Sequence, residues 1–175
     1  MARIASLDAS TATDRVTNAI RAFNMEINED SARRVADVYS NLAAKSASNV
    51  NELSVAMTKV ASIASSANMS FEKTAAFLAQ GIETTRESAE TIGTMLKTVV
   101  GRIGEVKKLY SQGDLAGTDE NGEAIDVNKV SKAFRTAGIN LNEFFLGQKG
   151  LDDILMELAE KWNTLDLVHQ RYIAT

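Results

Sequence analysis

The stretch SAETIGTMLKTVVGRI, residues 88–103, decides the fold. Ala89, Ile92, Leu96, Val99, Val100 and Ile103 recur at steps of three and four, the spacing that gathers side chains on one side of an α-helix. That side is expected to be buried. Gly93 interrupts the helix at a cost of about 1 kcal/mol relative to alanine, a cost tolerated where another backbone comes close. A packed neighbour is therefore expected at Gly93. Lys97 and Arg102 lie toward the C-terminal end, where the helix dipole favours cations and long side-chain stems cover apolar surface.

Upstream of this stretch the same grammar repeats. Val16, Ala19, Ile20 and Phe23 form a short stripe. Asn28, followed by Glu29 and Asp30, caps a second helix whose buried side is Val35, Val38, Tyr39 and Leu42. Asn49 with Glu52 has the spacing of a capping box and opens a third, with Leu53, Met57, Val60, Ile63 and Ala64 facing inward. Ser70 caps a fourth, which carries Phe71, Ala75, Leu78 and Ile82. The three caps are spaced by 21 residues, which predicts antiparallel helices joined by short turns. Either Thr84 with Glu87, or Ser88 alone, opens the helix of residues 88–103, which can continue through Val106, Leu109 and Tyr110.

Downstream, residues 111–126 hold three glycines, five carboxylates and no base, and read as an acidic loop. Asp126 caps the next helix, with Val127, Val130, Phe134 and Ala137 on one side and Gly138 at its end. Residues 139–150 are compatible with an extended segment or short hairpin. Leu151, Ile154, Leu155, Leu158 and Trp162 form a strong stripe, and Val168 and Tyr172 begin a last helix. The expectation is an all-α bundle of roughly seven or eight helices. Residues 1–12 read as a polar leader and 13–175 as one helical domain.

Composition agrees. The absence of proline, where average usage of about 5% would give roughly nine, suits long helical runs. With no cysteine, there is neither a disulfide nor a thiolate metal site. A net charge of −4 and no basic stripe argue against a chain whose task is to hold a phosphate backbone. No apolar run approaches the ~20 residues that span a bilayer.

The search for chemistry is largely negative. Asp119, Asn121 and Gly122 match positions three, five and six of an EF-hand loop, but Gly117 and Asn128 stand where the anchoring carboxylate and bidentate glutamate belong. Asn121-Gly122 reads better as a tight turn. His169 has only Asp166 as a ligand-type neighbour at helical spacing, and a packing or solvent-facing role suits it better than a metal. Asp152 and Asp153 sit where carboxylates stabilise a helix N-terminus. Trp162 reads as a core residue before an interface anchor, and Met57, Met69, Met95 and Met156 as core filling before a partner groove. No catalytic, cofactor-binding or metal residue is assigned, and no enzyme activity is expected.

Taken in order, these segments resemble the core of bacteriophage tail tape measure proteins. Residues 88–103 look like the family's signature, and residues 51–79 resemble the helix, small-residue turn and helix that precede it. AGINL at 137–141, LDDILMELAEKWNTLD at 151–166 and QRYIAT at 170–175 follow in the family's order, so the resemblance covers about residues 23–175. It implies a structural and assembly protein that sets tail length and lies in the tail tube of the virion, made in the host cytoplasm. The implied partners are the tail tube, tail assembly chaperone and baseplate-side proteins, with self-association through the last helix and no cofactor. In the family the final motif continues for hundreds of residues, so the chain is expected to be a fragment. Two rivals stay open: a bacterial helical adaptor or secreted effector, and a lytic insert of the kind tail proteins carry elsewhere.

Overall fold

The computed structural model describes residues 8–114, 116–118, 122 and 124–174, with the backbone alone for 171–174. Among these residues the chain forms nine helices and one two-stranded hairpin, and it divides into two compact units, Met1–Val99 and Val100–Thr175.

The first unit is built from α1 (Ala9–Ala22), α2 (Glu29–Lys45), α3 (Val50–Ser66), α4 (Phe71–Thr85) and the beginning of α5 (Ala89–Gln112). Every start in it is a side-chain cap that satisfies backbone N–H groups left without a helical partner. Asn28 Oδ1 accepts from the Ser31 N–H at 2.8 Å, and Ser70 Oγ accepts from Lys73 at 3.3 Å. Asn49 and Glu52 form the full capping box, each side chain accepting from the other's backbone at 2.9 Å. Ser88 takes up the Thr91 N–H at 3.1 Å and opens α5. One cap was not anticipated: Asp8 accepts from Thr11 at 2.9 Å, so α1 begins within the stretch that reads as a polar leader, and Ala12 is already buried.

Three of the four turns between these helices use a left-handed residue. Asn24, Asn68 and Arg86 have φ of 53°, 58° and 60°. Asparagine tolerates this region better than most residues; arginine does so at a steric cost. These short turns bring α1 onto α2 and α3, α2 onto α3 and α4, and α3 onto α4. At the centre Tyr39 and Phe71 meet edge to face at 5.4 Å, and Phe23 joins Phe71 at 5.6 Å. Leu53, Met57, Val60 and Leu78 complete this aliphatic and aromatic core. One polar tie crosses it: Arg15 of α1 donates to Ser54 Oγ at 2.8 Å and to Asn51 of α3.

The second unit contains the rest of α5, β1 (Ala116–Thr118), β2 (Ala124–Asp126), α6 (Val127–Thr136), α7 (Asn142–Phe145), α8 (Leu151–Trp162) and α9 (Leu167–Ala174). Two expectations are corrected here. The hairpin falls inside the acidic stretch 111–126, not at 139–150: β1 and β2 pair antiparallel with Gly117 opposite Ile125. Strands of three residues are too short to show alternation in a sequence. Packing decides instead, since Ile125 is buried and a Cβ on Gly117 would fall 2.7 Å from a methyl of Leu109 on α5. Gly122 takes φ +80°, as a tight turn requires, while Asp119 and Asn121 of the EF-hand comparison lie outside the described residues.

Residues 139–150 are helical and turned rather than extended. The Asn140 side chain accepts from the Asn142 N–H at 3.0 Å, and the Phe145 N–H then bonds Leu141 O at 2.9 Å. Leu141, Phe144 and Phe145 are buried at i, i+3 and i+4, a helical spacing that was visible in the sequence. Asp126 caps α6 by accepting from Lys129 at 3.0 Å. Gly138, at φ +69°, ends it as expected, with the Ile139 N–H returning to Phe134 O at 3.0 Å.

Candidate interaction surface

The signature helix α5 is two-sided where it lies in the first unit. Ala89, Ile92 and Gly93 are buried. Gly93 is pressed against α3: an added Cβ would stand 2.5 Å from the carbonyl oxygen of Ala56 and 3.0 Å from its Cα. The glycine is thus required by a close helix crossing. On the opposite side Thr91, Thr94, Met95 and Thr98 face solvent, Met95 at 54% exposure.

Val99 departs from the expected stripe, being 44% exposed. At about 100° per residue it lies roughly 60° from the centre of that stripe, on its flank. The methionines divide as well. Met57 and Met69 are core residues, while Met95 and Met156 are exposed. Trp162, the last residue of α8, is half-buried, and its carbonyl accepts from the Gln170 side chain at 2.8 Å.

The acidic candidates serve helix ends. Asp152 and Asp153 lie in the first turn of α8, Asp152 buried and accepting from the Asp153 N–H at 3.0 Å. Asp166 accepts from the His169 N–H at 2.9 Å and from its ring at 2.8 Å. The backbone bond first, and the ring bond second, hold the Asp166 carboxyl below its ordinary range. Glu157 bridges Lys161 at 2.8 Å and Lys149 at 2.9 Å, and these hydrogen bonds lower its carboxyl too. Lys161 also donates to Gly138 O at 3.0 Å, which ties α8 to the end of α6. Among the described residues no group of three acidic or histidine side chains could hold a metal ion. No helix among them is long and apolar enough to cross a membrane.

The family model described as phage-related minor tail protein matches residues 1–175. The chain belongs to this family. The chain is also similar to the tape measure protein of Pneumococcus phage Dp-1, at 27% identity over 148 residues. The match covers 82% of the chain but only 12% of that relative. No solved structure matches it. The resemblance read from residues 88–103 and their neighbours therefore holds: this is a structural component of a phage tail and of the virion. Neither the adaptor nor the effector alternative gains support.

Proposed function

We propose that this chain is a folded assembly segment of a tape measure protein, which sets tail length and lies in the tail tube. The observation that carries the reading is the relative named as a tape measure protein, matched over 82% of this chain. The crossing of α5 on α3 supports the folded form, since such a contact exists only between packed helices. Tail tube, assembly chaperone and baseplate-side proteins are its proposed partners, with Met95 and Val99 offering exposed apolar contact and Leu167 and Val168 a site for self-association.

The protein is further proposed to act without catalysis. Its acidic side chains at Asp8, Asp126 and Asp166 are engaged in capping helices. Residues 13–175 are proposed as a single helical domain, to which the first turn of α1 at residues 9–12 also belongs, since Ala12 is buried. The functional test is an in-frame deletion of residues 49–103 in a phage carrying this gene. Loss of tails is expected for a folded assembly segment. Intact tails shortened in proportion to the residues removed would overturn it in favour of an extended ruler.

A further inference from the structure

Helix α5 is held firmly near both ends and loosely in its middle. Near its start Gly93 lies against the backbone of Ala56, and a Cβ on Gly81 of α4 would fall 2.8 Å from a methyl of Ile92. Near its end Leu109 presses on Gly117 of the hairpin, Lys107 Nζ lies 4.6 Å from the Phe144 ring centroid, and Tyr110 stacks on Phe145 with centroids 4.3 Å apart. Between these anchors, residues 94–105 bury Val100 alone, while Leu96 and Ile103 are half-buried.

The loosely held stretch also carries two glycines. Gly101 and Gly104 lie about one turn apart, and each weakens helix formation at its position about fivefold relative to alanine. Gly93 is explained by a close crossing. Gly104 is not, because a Cβ there would meet nothing within 4 Å. One turn before Gly101, Thr98 Oγ1 donates to Thr94 O at 3.0 Å, a bond of the kind that weakens the backbone ladder and bends helices. A segment with few buried side chains opens locally more readily than the whole protein unfolds, and glycines are where helices kink.

We propose that α5 contains a hinge at residues 101–104, a conformational device that lets the helix pass between a straight and a bent form while the contacts around Gly93 and Tyr110 persist. In the bent form the backbone bonds that cross the two glycines open to water, and the glycine dihedrals absorb the change.

The test uses the whole 175-residue chain, labelled with ¹⁵N and weakly aligned. In a rigid straight helix, the N–H dipolar couplings of residues 90–99 and 105–112 fit one alignment tensor; no single tensor is expected to fit both stretches here. Hydrogen exchange gives a second reading. The amides of residues 104–108, whose bonds span the glycines, should exchange about 100-fold faster than those of residues 92–96, without the denaturant dependence of global unfolding. Gly104→Ala, which adds a methyl where there is room, should slow that exchange about fivefold and bring the couplings toward one tensor. Ser111→Ala, beyond the hinge, should do neither. One tensor for the native chain, exchange at 104–108 only through global unfolding, or unchanged behaviour in Gly104→Ala with native circular dichroism would overturn the proposal.

Discussion

Gly93 and Ala56 are in backbone contact: a Cβ on the glycine would lie 2.5 Å from the alanine carbonyl oxygen. Backbone atoms cannot swing aside as a side chain can, so Gly93→Ala must separate α5 from α3. The expected cost is about 2 kcal/mol, overpacking reduced by the better helix propensity of alanine. Gly104 of the same helix has nothing within 4 Å of its added Cβ, so Gly104→Ala should stabilise by about 0.5–1 kcal/mol. Urea titration of both variants checks the pair, and equal effects would refute the crossing.

The capping box at the start of α3 should be separable from packing. Asn49 is exposed, so Asn49→Ala removes the 2.9 Å bond from the Glu52 N–H to Asn49 Oδ1 without leaving a cavity, while the backbone N–H of residue 49 can still donate to the Glu52 side chain. A loss of about 1 kcal/mol is expected. Asn49→Asp should retain most of it, which thermal unfolding would show.

Arg86 pays a steric penalty at φ 60° between α4 and α5. Glycine adopts that conformation freely, although it also gains entropy in the unfolded chain. Arg86→Gly is therefore expected to stabilise by up to about 1 kcal/mol, and a clear loss in chemical denaturation would show that the side chain has a structural role.

Tyr39 sets an alkaline limit. Burial pushes its hydroxyl well above the ordinary tyrosine value, and the nearby Arg15 charge offsets only part of this. The folded value lies above the unfolded one, so the unfolded chain gives up its proton first. Stability should be unaffected below about pH 9 and decline as pH rises past about 10, by up to ~1.4 kcal/mol per unit from this group. In Tyr39→Phe that contribution should vanish, which denaturation curves between pH 8 and 11 would reveal.

Much of the local architecture was readable along the chain. Asn28, Asn49, Ser70 and Asp126 cap helices where their spacing to the next stripe said they would. Gly138 ends α6 in a left-handed turn, and Gly93 marks a close approach. The cap at Asp8 was legible too, since Asp8 precedes Ala12, Ala19 and Ile20, and the helical spacing of Leu141, Phe144 and Phe145 was present but passed over. The proposed hinge in α5 was half legible: Gly101 and Gly104 stand out in the sequence, but that residues 94–105 bury only Val100, and that Gly104 has open space around it, depends on packing.

By itself the sequence determined helix starts, helix ends and inward faces, together with the family. These depend on bonds and spacings within a few residues, where a side chain reaches its own backbone. Tertiary structure alone decided that the neighbour of Gly93 is Ala56, that Arg15 ties α1 to α3, that Val99 and Met95 face outward, and that the hairpin forms at 116–126. Each of these needs groups far apart in the chain to meet. Which groups meet follows from how several stripes pack at once, so no single segment encodes it.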